Sequence, residues 1–300
     1  MTQSMTHIEL ILITGISGSG KSVAVAALED AGYFCVDNLP PELLQSLVEL
    51  QARNNVDRIA VAIDVRSSKS LPALPDQLMK LRTLGVQCRV VYLESLNEVL
   101  IRRFSETRRQ HPLSRKSGSN DARKALIEAI RDERELLAPL RDEALVIDTS
   151  HLKPAELHSQ INALLTIRLD QLTLVFESFA FKRGLPMDAD FVFDARMLPN
   201  PHYEPELRAL TGRDQPVIAF FKMQPPMAEM LGHITSFLDH WLPQMRENHR
   251  SYVTVAIGCT GGQHRSVYLV ERLASHYKLK WPTHIRHRML GINETPDATT

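Results

Sequence analysis

Gly15-Ile16-Ser17-Gly18-Ser19-Gly20-Lys21-Ser22 decides how the first half of this 300-residue chain folds. The stretch fits G-x-x-x-x-G-K-[ST] at every fixed position, and its glycines let successive backbone N–H groups turn inward on a phosphate chain. Ile8 to Thr14, just before it, is almost wholly apolar and predicts a buried strand, while Ser22 to Ala31 spaces its alanines, valines and Leu28 as a helix does. Strand, loop and helix start together offer an anion both a nest of N–H groups and the positive end of a helix dipole. Gly15, Ile16, Ser17, Gly18, Ser19, Gly20, Lys21 and Ser22 are therefore expected to bind a nucleotide. Lys21 would stand between the β- and γ-phosphates, and the Ser22 hydroxyl would reach Mg²⁺.

Working outward, Tyr33 to Asp37 reads as a second strand, closed by Asn38-Leu39-Pro40-Pro41, and a helix is expected from Glu42 to about Ala52. Arg58 to Ile63 is a third strand ending in Asp64, and this alternation marks a parallel α/β sheet. Asp64 lies 43 positions beyond Lys21, where a carboxylate suits a water-bridged Mg²⁺; Asp37 is its rival, and a strand-end Asp also serves as a plain helix cap. Val65, Arg66 and Ser67 continue that edge with a cation and a hydroxyl, at the end of the sheet where ligands bind. After a fourth strand, Cys88 to Glu94, the chain turns basic: Arg102, Arg103, Arg108, Arg109, Arg115 and Lys116 face only Glu106 before Ser117 to Asn120 loosens it. Two readings stand, an arginine-bearing lid over phosphates and a solvated helix face. Arg131 to Arg134, amid Asp132, Glu133 and Glu135, reads as helix-surface pairing. Leu145 to Asp148 is a last short strand and Pro154 to Arg168 a closing helix.

The character changes there, so two domains are expected, residues 1–168 and 169–300. Leu172 to Phe181 is a new apolar strand, followed by a proline-punctuated stretch. Val253 to Ser266 is again strand, Gly-rich turn and helix start, with Arg265 at its end and five residues between it and Cys259. An anion nest, a thiolate phosphatase and a purely structural turn all fit that pattern. Gly258, however, stands where such phosphatases carry a histidine. Lys182, Asp194, Arg196, Asn200 and His202 gather around a strand running into a loop, as a sugar-phosphate site or as groups that satisfy local backbone.

Basic and acidic residues balance at 35 each, so any nucleic-acid or membrane partner must be met by a local patch. Cys35, Cys88 and Cys259 are too few and too scattered for a disulfide framework or a zinc site. No apolar run approaches the roughly 18 residues of a membrane span, and no signal-peptide pattern opens the chain. A cytoplasmic protein with no membrane partner is expected.

These motifs, with Cys35-Val36-Asp37-Asn38-Leu39-Pro40, Asp64-Val65-Arg66, Phe176-Glu177-Ser178-Phe179, Leu198-Pro199-Asn200-Pro201-His202 and Gly258-Cys259-Thr260-Gly261-Gly262 through His264-Arg265-Ser266-Val267-Tyr268, resemble the RapZ/YvcJ family of bacterial nucleotide-binding proteins over residues 8 to about 288. The resemblance implies ATP at Gly15 to Ser22, a GTP-associated segment at Asp64, Val65, Arg66 and Ser67, Mg²⁺ held by Ser22 and Asp64, and at most weak hydrolysis. For the second domain it implies a phosphofructokinase-like α/β fold that senses glucosamine-6-phosphate, on Lys182, Asp194, Arg196, Asn200, His202, Cys259, Thr260, Gly261, Gly262, His264 and Arg265. It further implies a small regulatory RNA presented to a ribonuclease, controlling amino-sugar synthesis. A homo-oligomer is expected as well.

One departure concerns the end of the chain. Adapter-type members end in a dense basic tail, whereas this chain ends in Met289 to Thr300 without one. Just before it, His276 to Arg288 contains no acid, and its Lys278, Lys280, Arg286, His287 and Arg288, interleaved with Tyr277 and Trp281, form a candidate RNA patch. A solvated helix followed by a frayed terminus is the alternative there. The competing function is a small-molecule phosphotransferase with Arg102 to Arg115 as its lid.

Overall fold

The computed structural model describes residues 8–67, 70–107, 110–113, 122–142, 144–165, 172–247, 250 and 252–290. Of the expected lid, Arg108, Arg109, Arg115, Lys116 and residues 117–120 lie outside these, as does the tail from 291. Contacts divide the chain into two compact units, Met1–Asp170 and Gln171–Thr300.

The first unit runs β1 (Glu9–Gly15), α1 (Lys21–Asp30), β2 (Phe34–Val36), α2 (Leu44–Arg53), β3 (Arg58–Ala62), α3 (Leu74–Thr83), β4 (Gln87–Glu94), α4 (Asn97–Thr107), α5 (Ala122–Asp142), β5 (Leu145–Asp148) and α6 (Pro154–Leu164). Its sheet is parallel throughout, in the order β2-β3-β1-β4-β5. Both faces of a parallel sheet are covered by helices, which is why β1 and β4 read as near-continuous apolar runs. Leu10, Leu12, Ile59, Val61, Val90 and Tyr92 meet Leu44, Leu78 and Leu137 in one core. From β1 the chain goes out to β2, returns to β3, then crosses to β4 on the other side. The carboxyl end of β1 is therefore the switch point of the sheet, where a crevice opens.

The second unit runs β6 (Thr173–Ala180), β7 (Phe191–Asp194), α7 (Gln215–Lys222), α8 (Pro225–Glu247), β8 (Tyr252–Cys259), α9 (Arg265–Tyr277) and β9 (Thr283–His287). These strands are also parallel, ordered β7-β8-β6-β9. The helix α9 follows the Gly-rich turn as expected, and all eight residues of β6 and of β8 are buried. The strand β9 corrects the reading of the chain's end: residues 283–287 pair with Leu174 to Ser178 of β6 instead of forming a frayed terminus. Among the described residues no helix is long and apolar enough to cross a membrane.

Candidate functional site

The loop at the end of β1 adopts a shape that its glycines alone permit. Gly15, Gly18 and Gly20 have φ of 131°, 86° and 108°, and a Cβ on Gly15 would fall 2.2 Å from the Leu93 carbonyl oxygen. Lys21 opens α1, and its Nζ donates to the Gly15 carbonyl at 2.6 Å, so the ammonium folds back over the loop. Burial pulls Lys21 below the usual ammonium range, opposed by the charges of Glu133, Asp64 and Asp37. A cleft of about 1140 Å³ opens over this loop. Ser17 to Val23, Asp37, Asn38, Asp64, Arg66, Arg102, Arg103 and the turn from Thr149 to Pro154 line it.

Most of the residues expected to bind nucleotide thus share one cavity, but they differ in what they offer. The Ile16 side chain is fully buried in the core, Val65 is buried too, and Ser67 closes a short 3₁₀ turn. Ser22 is exposed at the head of α1. Asp64 Oδ1 accepts the Arg66 N–H at 2.8 Å and Oδ2 lies 3.4 Å from Arg66 Nε. No cluster of three or more His, Cys, Asp and Glu among the described residues is placed to hold a metal ion. The Ser22 hydroxyl and Asp64 carboxylate are hard oxygen donors, the set that suits a Mg²⁺ keeping phosphate and water as its other ligands.

Glu133 was read as a surface residue of α5, and the structure corrects this. Its carboxylate is fully buried behind the loop, accepting the Ser17 N–H and the Ser17 hydroxyl, both at 2.8 Å, and lying 2.9 Å from His111 Nε2. His111 Nδ1 accepts the Leu113 N–H at 3.2 Å, so the ring proton sits on Nε2 and is donated to Glu133. Burial opposes ionisation of Glu133, but the His111 bond, the Lys21 charge and the Ser17 N–H outweigh it and hold the carboxyl below the usual carboxylate range. Ser17 is consequently anchored from behind, and its N–H is already taken. Arg103, from α4, secures the other side: it donates to the Gly18 carbonyl at 3.0 Å and to the Thr149 carbonyl at 2.7 Å, while the Thr149 hydroxyl donates to the Ser19 carbonyl at 2.8 Å. Arg102 is exposed beside Glu106.

In the second unit β8, the turn at 260–264 and α9 form the other loop. Gly258 packs against Phe179 and Phe181, and a Cβ there would meet the Phe179 ring at 2.4 Å. No histidine fits that position, which physically separates this loop from the phosphatase pattern. Buried Cys259 accepts the Gly262 N–H at 3.2 Å and lies 3.2 Å from the Ser266 hydroxyl. Arg265 is buried, and its Nη1 donates to the carbonyls of Arg196 at 2.7 Å and Leu198 at 3.1 Å. Its Nη2 lies 3.4 Å from the Thr260 hydroxyl. Arg196 pairs with Asp194 at 2.7 Å and stacks on Phe181. The His202 and His264 rings stand 6.5 Å apart, and His264 is held below its ordinary pKa by burial, partly offset by its bond to the Leu207 carbonyl. Asn200 caps the turn holding His202, while Lys182 is exposed after β6 and Gly261 has open space above its Cα. Arg265 thus ties the Arg196–Leu198 loop to Thr260, and the ring contact brings His202 to His264, while Cys259, Gly262, His264 and Arg265 themselves are buried.

The candidate RNA residues separate into two kinds. Lys278 and Lys280 are exposed. Arg286 reaches Asp188 at 2.6 Å and Glu177 at 3.5 Å, Arg288 lies 3.6 Å from Glu177, and His287 bridges Ser178 at 2.8 Å and Glu271 at 3.2 Å. The segment contains no acid of its own, yet folding brings Glu177, Asp188 and Glu271 to its basic side chains from other elements. Replacing Lys278 and Lys280 with Ala should therefore leave the melting temperature unchanged, and any RNA affinity they support should lose about 0.7 to 0.9 of its log–log salt slope per contact. Arg286→Ala should instead act through the fold, removing the ion-pair partner of buried Asp188 at a cost of about 3 kcal/mol. Paired gel-shift salt series and thermal melts check both outcomes.

Two family models cover the chain: a RapZ-like N-terminal domain over residues 8–168 and a RapZ C-terminal domain over residues 172–291. A protein of Acidovorax ebreus described as a nucleotide-binding protein is 62% identical over 283 residues, 94% of this chain and 98% of that protein. One of Albidiferax ferrireducens, described likewise, is 57% identical over 293 residues, 97% of each. Among solved structures, shikimate kinase from Bacteroides thetaiotaomicron aligns with 52% of this chain and 95% of its own, at 18% identity and a TM-score of 0.36.

Proposed function

The chain belongs to the RapZ family, and from that premise we propose that its first unit binds a nucleoside triphosphate, ATP or GTP with Mg²⁺, and hydrolyses it weakly at most. The observation that carries this reading is the loop itself: three glycines at positive φ, with Lys21 folded over them at the mouth of the cleft. The second unit, on the same reading, senses an amino-sugar phosphate, glucosamine-6-phosphate, at the rim formed by the 259–265 turn, Asp194, Arg196, Asn200 and His202. Exposed Lys278 and Lys280 support contact with a small regulatory RNA that the protein presents to a ribonuclease. Sequencing RNA crosslinked to the protein in its own cells tests the adapter role, and finding no enriched RNA would remove it. A second reading, phosphoryl transfer to a small molecule, is favoured by the placement of Arg103 against the phosphate loop.

Sensing and chemistry at the second loop part company in the Cys259→Ser variant. A serine hydroxyl fits between the Gly262 N–H and Ser266 and keeps the turn, so glucosamine-6-phosphate should bind at nearly the original affinity. Neither protein should release inorganic phosphate from it. Phosphate release by the unmodified protein that disappears in the variant would make Cys259 a nucleophile.

A further inference from the structure

Two strand-end acids influence Lys21 electrostatically, and their surroundings differ. Asp64, after β3, has both carboxylate oxygens engaged with Arg66 and only 15% of its side chain exposed. Asp37, directly after β2, is exposed to the cleft and makes no hydrogen bond or ion pair with any described residue. Its loop is fixed on both sides: Val36 is paired in register with Val61, Asn38 takes a left-handed φ of 58°, and the Leu39 N–H donates to the Ala62 carbonyl at 3.2 Å.

The sheet order gives the cleft two unlike ends. Arg103 and Thr149 stand on the β4–β5 side of the phosphate loop, whereas Asp37, Asp64 and Arg66 stand on the β2–β3 side. A lysine of this loop reaches the β- and γ-phosphates, and the Mg²⁺ that bridges them would be held by Ser22 and by Asp64, which lines the cleft on the β2–β3 side. The terminal phosphate of a bound nucleotide therefore points that way. At about 1140 Å³ the cleft exceeds the usual ligand pocket of roughly 300 to 1,000 Å³, which leaves room beside the nucleotide for a second small molecule.

We propose that the β2–β3 side of the cleft is a nucleophile subsite, in which Asp37 is the general base toward a hydroxyl, that of water or of a small molecule, attacking the terminal phosphate. The inference rests on the nucleotide reading of this cleft. In the step, the hydroxyl oxygen forms a bond to the terminal phosphorus as the bond from that phosphorus to the bridging oxygen breaks. The proton passes to the Asp37 carboxylate, and the nucleoside diphosphate leaves with the bond's electron pair. Asp64, already oriented by Arg66, would hold the metal. Two acids take two roles because their partners differ.

Single-turnover release or transfer of the labelled terminal phosphate from ATP and GTP tests this in Asp37→Asn, with calorimetric nucleotide affinity and a Mg²⁺ titration measured alongside. The variant should react about 100-fold more slowly or worse, with nucleotide affinity, half-saturating Mg²⁺ and melting temperature unchanged. An unchanged rate overturns the assignment. So does a raised Mg²⁺ requirement that restores the full rate, since Asp37 would then belong to the metal shell, and so does an unmodified protein that binds nucleotide yet never cleaves it. If the unmodified protein binds neither nucleotide, the reading of the cleft itself falls, a result distinct from the other three.

Discussion

Titrating the Lys21→Ala variant with ATP or GTP should give no measurable binding, a loss of at least about 100-fold. Charge-assisted bonds to phosphate contribute about 1.5 to 3 kcal/mol each, and on the proposed reading Lys21 would make one to each of two phosphates. The folded protein should not suffer. Burial already disfavours the ammonium where it stands, with the Gly15 carbonyl as its hydrogen-bond acceptor, so truncation removes a desolvated cation and vacates no core position. The melting temperature should stay or rise slightly. Calorimetry showing unchanged nucleotide affinity in a well-folded variant would remove the loop from the site.

Glu133→Ala should produce the largest loss of stability in the first unit. Three donors point at this carboxylate from a fully buried setting: the Ser17 N–H, the Ser17 hydroxyl and His111 Nε2–H. Leaving them without an acceptor should cost about 3 to 5 kcal/mol, a large share of the 5 to 15 kcal/mol typical of a folded protein. Glu133→Gln isolates the charge from the bonds. Both N–H donors meet Oε2, which the amide oxygen can replace, and the Ser17 hydroxyl meets Oε1, where it can turn to accept from the amide nitrogen. Gln should therefore retain most of the stability that Ala loses. Denaturant melts that place both variants at the same midpoint would mean that Glu133 does not brace the loop.

The phosphate loop was legible because its chemistry is local: eight consecutive residues hold the glycines, the lysine and the hydroxyl. The parallel sheet was legible too, since apolar runs ending in Asp37, Asp64, Glu94 and Asp148 alternate with helices. Glu133 was hidden by distance, lying 116 positions from the serine it holds. One signal did exist. Ala129, Ile130, Leu137 and Leu140 form the buried stripe of α5, and Glu133 falls within that stripe, a place where an unpaired charge would be costly. The strand β9 was missed because Thr283-His284-Ile285-Arg286-His287 carries little apolar signal; its stability comes from β6 and from acids at 177 and 188. The burial of Arg265 was hidden for a related reason, since the carbonyls of Arg196 and Leu198 that accept from it belong to a loop whose path the sequence does not reveal.

The position of β9 also sets an order of events during synthesis. The first sheet has all its strands once Asp148 has left the ribosome, so that unit can fold while the rest is still being translated. The second sheet cannot close until Thr283 to His287 of a 300-residue chain have been made. Until then the long strand Thr173–Ala180 is an open edge, and Glu177 and Asp188 wait without their arginines. An open apolar edge of eight residues is a template for pairing with another chain. Synthesis stopped before Thr283 would thus yield a soundly folded first unit tethered to an aggregation-prone second one.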